Sequence, residues 1–90
     1  MINANYKVTN QLGMHAKVAT EVVRIANLYK SDIMITIRGI TANCKSIMGV
    51  MSLGISYNES FELSFDGVDE KDAKDRLSLA IIELNLGKEI

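Results

Sequence analysis

The chain has 90 residues, which fits one domain (1–90) with a modest core. Hydrophobic residues make up 48%, which excludes a disordered chain, and a formal net charge of −1 leaves no electrostatic footprint for nucleic acid or a membrane surface. The single cysteine, Cys44, cannot form an internal disulfide, no leader-like segment opens the chain and no apolar run approaches ~20 residues, so the composition predicts a soluble cytoplasmic protein.

Residues 2–9 alternate, with Ile2, Ala4, Tyr6 and Val8 on one face and Asn3, Asn5, Lys7 and Thr9 on the other. That period predicts a half-buried strand. Asn10 to Gly13 then reads as a loop. From Ala16 to about Tyr29 the period becomes helical. Val18, Val22, Ile25, Ala26 and Tyr29 share a stripe, Glu21, Arg24 and Asn27 face away, and Lys30-Ser31-Asp32 ends the helix. Ile33, Ile35 and Ile37 mark a second strand, Gly39 a turn, and residues 40–44 a third strand that completes a hairpin.

Residues 46–53 predict a short helix, capped by Ser46 and ended by Gly54. Phe61, Leu63 and Phe65 alternate with Glu62, Ser64 and Asp66 in a fourth strand, and Asp66-Gly67 turns the chain. Ala73, Leu77, Ala80, Ile81 and Leu84 mark a last helix, with Asp69 as its cap and Gly87 as its stop. The order is βαββαβα. One apolar face per strand predicts an α+β fold, with helices covering one side of an antiparallel sheet and the other side wet.

The one histidine, His15, stands between a loop and the start of the first helix. The first N–H groups of a helix have no intrahelical partner, and the helix dipole favours an anion there. A neutral imidazole at that place can accept a phosphoryl group. The free N–H groups, Ala16 and Lys17 among them, can hold its oxygens, Lys17 adds a cation, and Gly13 lets backbone approach closely. The alternative is an exposed capping residue with no chemistry. One histidine makes no metal site without a cluster of Cys or His around it, so no metal and no cofactor are expected.

Ser46 is explained by capping alone; a phosphate there is the other reading, since it would add about −1.5 to −2 charge beside an apolar patch. Ile47, Met48 and Met51 crowd a helix too short to hide them all, and methionine suits adaptable docking surfaces. Arg24 is either a solvated charge or part of an anionic partner's footprint.

Two segments, Gly13-Met14-His15-Ala16 and above all the run from Cys44 through Lys45-Ser46-Ile47-Met48-Gly49-Val50-Met51 to Gly54, resemble the histidine-containing phosphocarrier family HPr of the bacterial sugar phosphotransferase system. The resemblance covers essentially the whole chain. It implies an open-faced β-sandwich of four antiparallel strands with three helices on one face. It implies that His15 takes phosphate at Nδ1 from phosphoenolpyruvate-charged enzyme I and passes it to a histidine on an enzyme II A domain. The protein would then be a carrier and not an enzyme, and a monomer.

The resemblance also implies that Ser46 is the regulatory serine that an HPr kinase phosphorylates in low-GC Gram-positive bacteria. The modified form there serves a catabolite-control repressor. Thr20, Arg24, Ile47, Met48 and Met51 match the partner-docking surface. The family usually reads His-Ala-Arg-Pro-Ala, whereas this chain has His15-Ala16-Lys17-Val18-Ala19. Arginine grips phosphate with a planar fork where lysine offers a point charge, and proline would preset φ at the helix start. The departure raises an alternative function, a regulatory protein acting mainly through Ser46 and the Ile47/Met48/Met51 surface.

Overall fold

The strands at residues 2–8 and 60–66, far apart in sequence, lie side by side near the centre of one sheet. A computed structural model describes all 90 residues. Its elements are β1 (Ile2–Val8), α1 (Ala16–Ala26), β2 (Asp32–Ile37), β3 (Ile40–Asn43), α2 (Ile47–Ser52), β4 (Ser60–Asp66), α3 (Glu70–Glu83) and β5 (Gly87–Glu89). The sheet order is β3-β2-β4-β1-β5, and every pair is antiparallel.

The register puts like residues in rows. Ile35, Leu63 and Ala4 pair across β2, β4 and β1, and all three are buried. Tyr6 pairs with Phe61, their rings stacked 5.5 Å apart, and the Tyr6 hydroxyl bonds Ser78 on α3. These rows join the buried faces of all three helices in one core of 25 residues. The opposite face carries Asn3, Asn5, Met34, Thr36, Glu62 and Ser64, which stay exposed or half-buried. The expected open-faced architecture is therefore present, and the alternation in each strand is what produced it.

The sheet has five strands, one more than expected. Gly87 does not stop the last helix; it opens β5, which pairs with Tyr6, Lys7 and Val8. The helix has already ended in a left-handed turn at Asn85 (φ 58), where the N–H of Asn85 bonds the Ile82 carbonyl and that of Leu86 bonds Ile81. Glycine is required at position 87, since a Cβ there would lie 2.0 Å from the Lys7 carbonyl oxygen. Three residues are too few to display a period of two, so alternation could not reveal this strand.

Two helix ends also differ. α1 stops at Ala26, short of Tyr29: the N–H groups of Leu28 and Tyr29 bond only three residues back, to the carbonyls of Ile25 and Ala26, while the Asn27 side-chain amide donates to the carbonyls of Val23 and Lys45. Asp69 precedes α3 but makes no side-chain cap bond to it. Its carboxylate instead accepts the N–H groups of Lys30 and Ser31 (2.9 Å each) and the buried Ser31 hydroxyl (2.5 Å). The tie pins the turn after α1 to the start of α3.

Those bonds, the Ser31 hydroxyl first among them, hold the Asp69 carboxyl below the usual carboxylate range, at about 2. A carboxyl depressed by folding stabilises fully above its unfolded value, and the stabilisation is lost as pH falls through the folded value. For Asp69 the window runs from about pH 4 down to about pH 2. An Asp69→Asn chain is expected to unfold at lower urea than the parent at pH 7. Its urea midpoint should also decline less steeply through that acid window. Parallel declines would show that the tie is not linked to the proton.

Candidate functional site

The loop before α1 is built to present one residue. The Asn10 side-chain oxygen accepts the Leu12 N–H at 2.8 Å, and the Asn10 carbonyl accepts the Gly13 N–H at 3.0 Å. Gly13 sits at φ 65 with its α-carbon against the backbone of Ile55 and Ser56; a Cβ would stand 2.5 Å from the Ile55 carbonyl oxygen. That same oxygen accepts the Met14 N–H at 3.0 Å, and the Met14 side chain is buried. His15 thus follows a clamped turn.

His15 is the N-cap residue of α1, with extended backbone (φ −78, ψ 171). Its carbonyl accepts the Ala19 N–H at 2.9 Å, the first bond of the helix. Its half-buried imidazole makes no cap bond. The N–H groups of Ala16, Lys17 and Val18 are therefore without partners in the chain, and no acidic residue stands in the first turn. The positive end of the α1 dipole is left uncompensated directly beside an imidazole. Ala16 and Lys17 are exposed, while Val18 turns into the core.

The other site residues named from the sequence lie further along α1 or on α2. Thr20 is exposed, but its hydroxyl donates to the Ala16 carbonyl at 2.8 Å. Arg24 donates from Nε and Nη2 to one Glu21 carboxylate oxygen, at 3.2 and 2.9 Å. This pairing lowers the Glu21 carboxyl's pKa. Nine residues separate Arg24 from His15, an axial rise of roughly 13 Å, so the guanidinium belongs to a different part of the surface from the helix start.

The Ser46 hydroxyl accepts the Gly49 N–H at 3.0 Å, capping α2 as its sequence suggests. Lys45 is occupied, donating from Nζ to the Tyr29 carbonyl at 2.8 Å. α2 buries Val50 and leaves Ile47, Met48 and Met51 exposed, Met48 the most at 84%. Its beginning touches the end of α1 through Lys45 and Asn27, and the loop after it touches the beginning of α1 through Ile55 and Met14. The two helices therefore run antiparallel, with the apolar patch beside the helix that His15 opens.

One contributor escaped the sequence reading. The segment from Leu53 to Glu59 carries the carbonyl that clamps Met14. Arg38 braces it by donating to the Leu53 carbonyl and the Glu59 carboxylate, and Glu59 in turn accepts the Ser56 N–H at 2.8 Å. Its contact is made by backbone, so no side-chain type could have announced it. Cys44 is fully buried, and burial pushes its thiol up to about 12, which leaves it protonated and inert. No helix is long and apolar enough to cross a membrane.

The family model described as the PTS HPr component phosphorylation site matches residues 2–83. Among solved structures, the chain is similar to the histidine-containing phosphocarrier protein of Mycoplasma, at 27% identity and a TM-score of 0.93 over 96% of this chain and 98% of that one. It is similar to HPr of Thermoanaerobacter tengcongensis at 35% identity, with a TM-score of 0.86 over 94% of each chain. It is also similar to Crh, a Bacillus subtilis catabolite-repression protein seen as a swapped dimer, at 35% identity and a TM-score of 0.72 over 86% of this chain and 88% of that one. Because the family match runs through every element that positions His15, from the first residue of β1 to the last of α3, the chain belongs to the HPr family, the histidine-containing phosphocarriers of the phosphotransferase system.

Proposed function

We propose that this protein carries a phosphoryl group on His15 between phosphoenolpyruvate-charged enzyme I and the A domains of enzyme II, as a cytoplasmic monomer. The observation that carries this reading is the start of α1: an imidazole beside three unpartnered N–H groups with no acidic residue in the turn. In the forward step the His15 ring nitrogen attacks phosphorus, a new N–P bond forms, and the donor's N–P bond breaks. The N–H groups of Ala16 and Lys17 receive the phosphoryl oxygens, and the Lys17 ammonium adds a point charge. No enclosed cavity adjoins the site, which suits a donor presented by another protein rather than a free small substrate. Such a protein is a carrier and not an enzyme.

Thr20, Arg24, Ile47, Met48 and Met51 form the face on which these partners dock. Ser46 is the regulatory position. Its phosphate would set about −1.5 to −2 charge against an apolar surface that enzyme I must cover, and so would weaken carriage. An HPr kinase and a catabolite-control repressor are the partners of that modified form. The likeness to Crh and the Lys17-Val18 pair favour a second reading, in which the regulatory role dominates; the retained histidine counts against it.

The deciding experiment mixes the protein with enzyme I and phosphoenolpyruvate and follows it by ³¹P NMR. A phosphohistidine signal that discharges onto an enzyme II A domain is expected. Absence of that signal, with Ser46 still a kinase substrate, would leave only the regulatory reading. The lysine makes a separate prediction. Restoring the planar fork with Lys17→Arg should speed transfer from an enzyme I of the usual type by roughly three- to tenfold in rapid-quench measurements. A slower variant would mean that Lys17 is matched to a divergent partner.

A further inference from the structure

The sulfur groups of this chain differ sharply in access to solvent. Cys44 is fully buried and Met14 is 5% exposed, whereas Met48 is 84% exposed, Met1 74% and Met51 39%. Met1 is remote from the helix pair, since its amino group bonds Glu70 at the start of α3. Met48 and Met51, in contrast, stand with Ile47 on the open side of α2, and the buried Val50 holds that helix in place beneath them.

We propose that Met48, followed by Met51, is a reversible oxidation site by which peroxide uncouples the docking face from enzyme I. The inference rests on the reading of that face as the docking surface. The thioether sulfur attacks one peroxide oxygen, the S–O bond forms and the O–O bond breaks. The proton on the attacked oxygen passes to the departing hydroxide, which leaves as water. Sulfur loses two electrons and the peroxide gains them. A flexible apolar side chain becomes a polar one that an interface must desolvate. The fold is spared, because Met48 contributes almost nothing to the core, and Met14, which follows the Gly13 turn, is shielded.

The test exposes the protein to dilute hydrogen peroxide, desalts it, maps sulfoxides by peptide mass spectrometry and measures transfer from charged enzyme I. Met48 sulfoxide should form about tenfold faster than Met14 sulfoxide, and transfer should slow about tenfold with the urea midpoint unchanged. Methionine sulfoxide reductase should restore the rate. A Met48→Leu/Met51→Leu chain should lose nothing from its own starting rate on the same treatment. Untreated Met48→Gln separates the two ideas. If it transfers slowly while the sulfoxide form of the parent does not, docking stands and the oxidation site falls. If it transfers at the parental rate, the docking role of this residue is wrong and the oxidation site falls with it. Equal slowing of parent and leucine variant by peroxide would place the damage elsewhere and overturn the proposal.

Discussion

Alanine at position 15 is expected to abolish phosphoryl acceptance. With charged enzyme I in excess, acid-labile phosphate on His15→Ala should fall by on the order of 10³-fold or more, the scale on which loss of a covalent nucleophile acts. The fold should not notice. The imidazole makes no bond to the helix start, so its removal leaves no donor newly unpaired. An unfolding free energy from urea melts within about 0.5 kcal/mol of the parent is expected, the usual range for surface changes. This separation matters, because it makes lost labelling a statement about chemistry. Undiminished labelling of the alanine chain would move the phosphate to another residue and sink the carrier reading.

Valine at position 13 is expected to damage both stability and carriage. Gly13 lies at φ 65, where a β-branched residue is strained by about 1–2 kcal/mol. Its new Cβ would also stand 2.5 Å from the Ile55 carbonyl oxygen, which belongs to backbone that Arg38 and Glu59 hold in place. Relief requires the loop to move, and movement breaks the Met14–Ile55 hydrogen bond. Overpacking of this kind adds about 1–3 kcal/mol. The sum is a large share of the roughly 5–13 kcal/mol that a domain of this size possesses. His15 is displaced with the loop, and a misplacement of about 1 Å costs transfer on the order of 10². Melts and rapid-quench transfer on the same Gly13→Val preparation should therefore fail together. A chain that melts early yet transfers normally would show that the clamp does not position His15.

These two residues differ in how far they could be read without coordinates. His15 is the sole histidine and precedes a helical period, so its address at a helix start follows from local pattern alone. The reason for Gly13 does not. Its neighbour is Ile55, forty-two positions away, and the contact is with a carbonyl that every residue type carries. Asp69 shows the same division. A short acid before a helical period reads as a cap, but the backbone of Lys30 and Ser31 outcompeted the helix for its oxygens. Nothing local states that competition.

What this sequence determined by itself was the set of surfaces to be buried. Alternation at Ile2–Val8, Asp32–Ile37 and Ser60–Asp66, and helical stripes through Val22 and Leu77, require a sheet with one covered face, because apolar faces of those periods have no other way to leave water. The order βαββαβα and the run around Ser46 were legible for the same reason, being local. Only the tertiary structure decided the placing of β4 between β1 and β2, the fifth strand, and the early stop of α1. It also decided the long tie of Asp69 and the clamp of Met14 by Ile55. Most of these are settled by a backbone group meeting a partner far along the chain, and backbone N–H and C=O are the same in every residue but proline, so those partners become visible only once the chain has closed on itself.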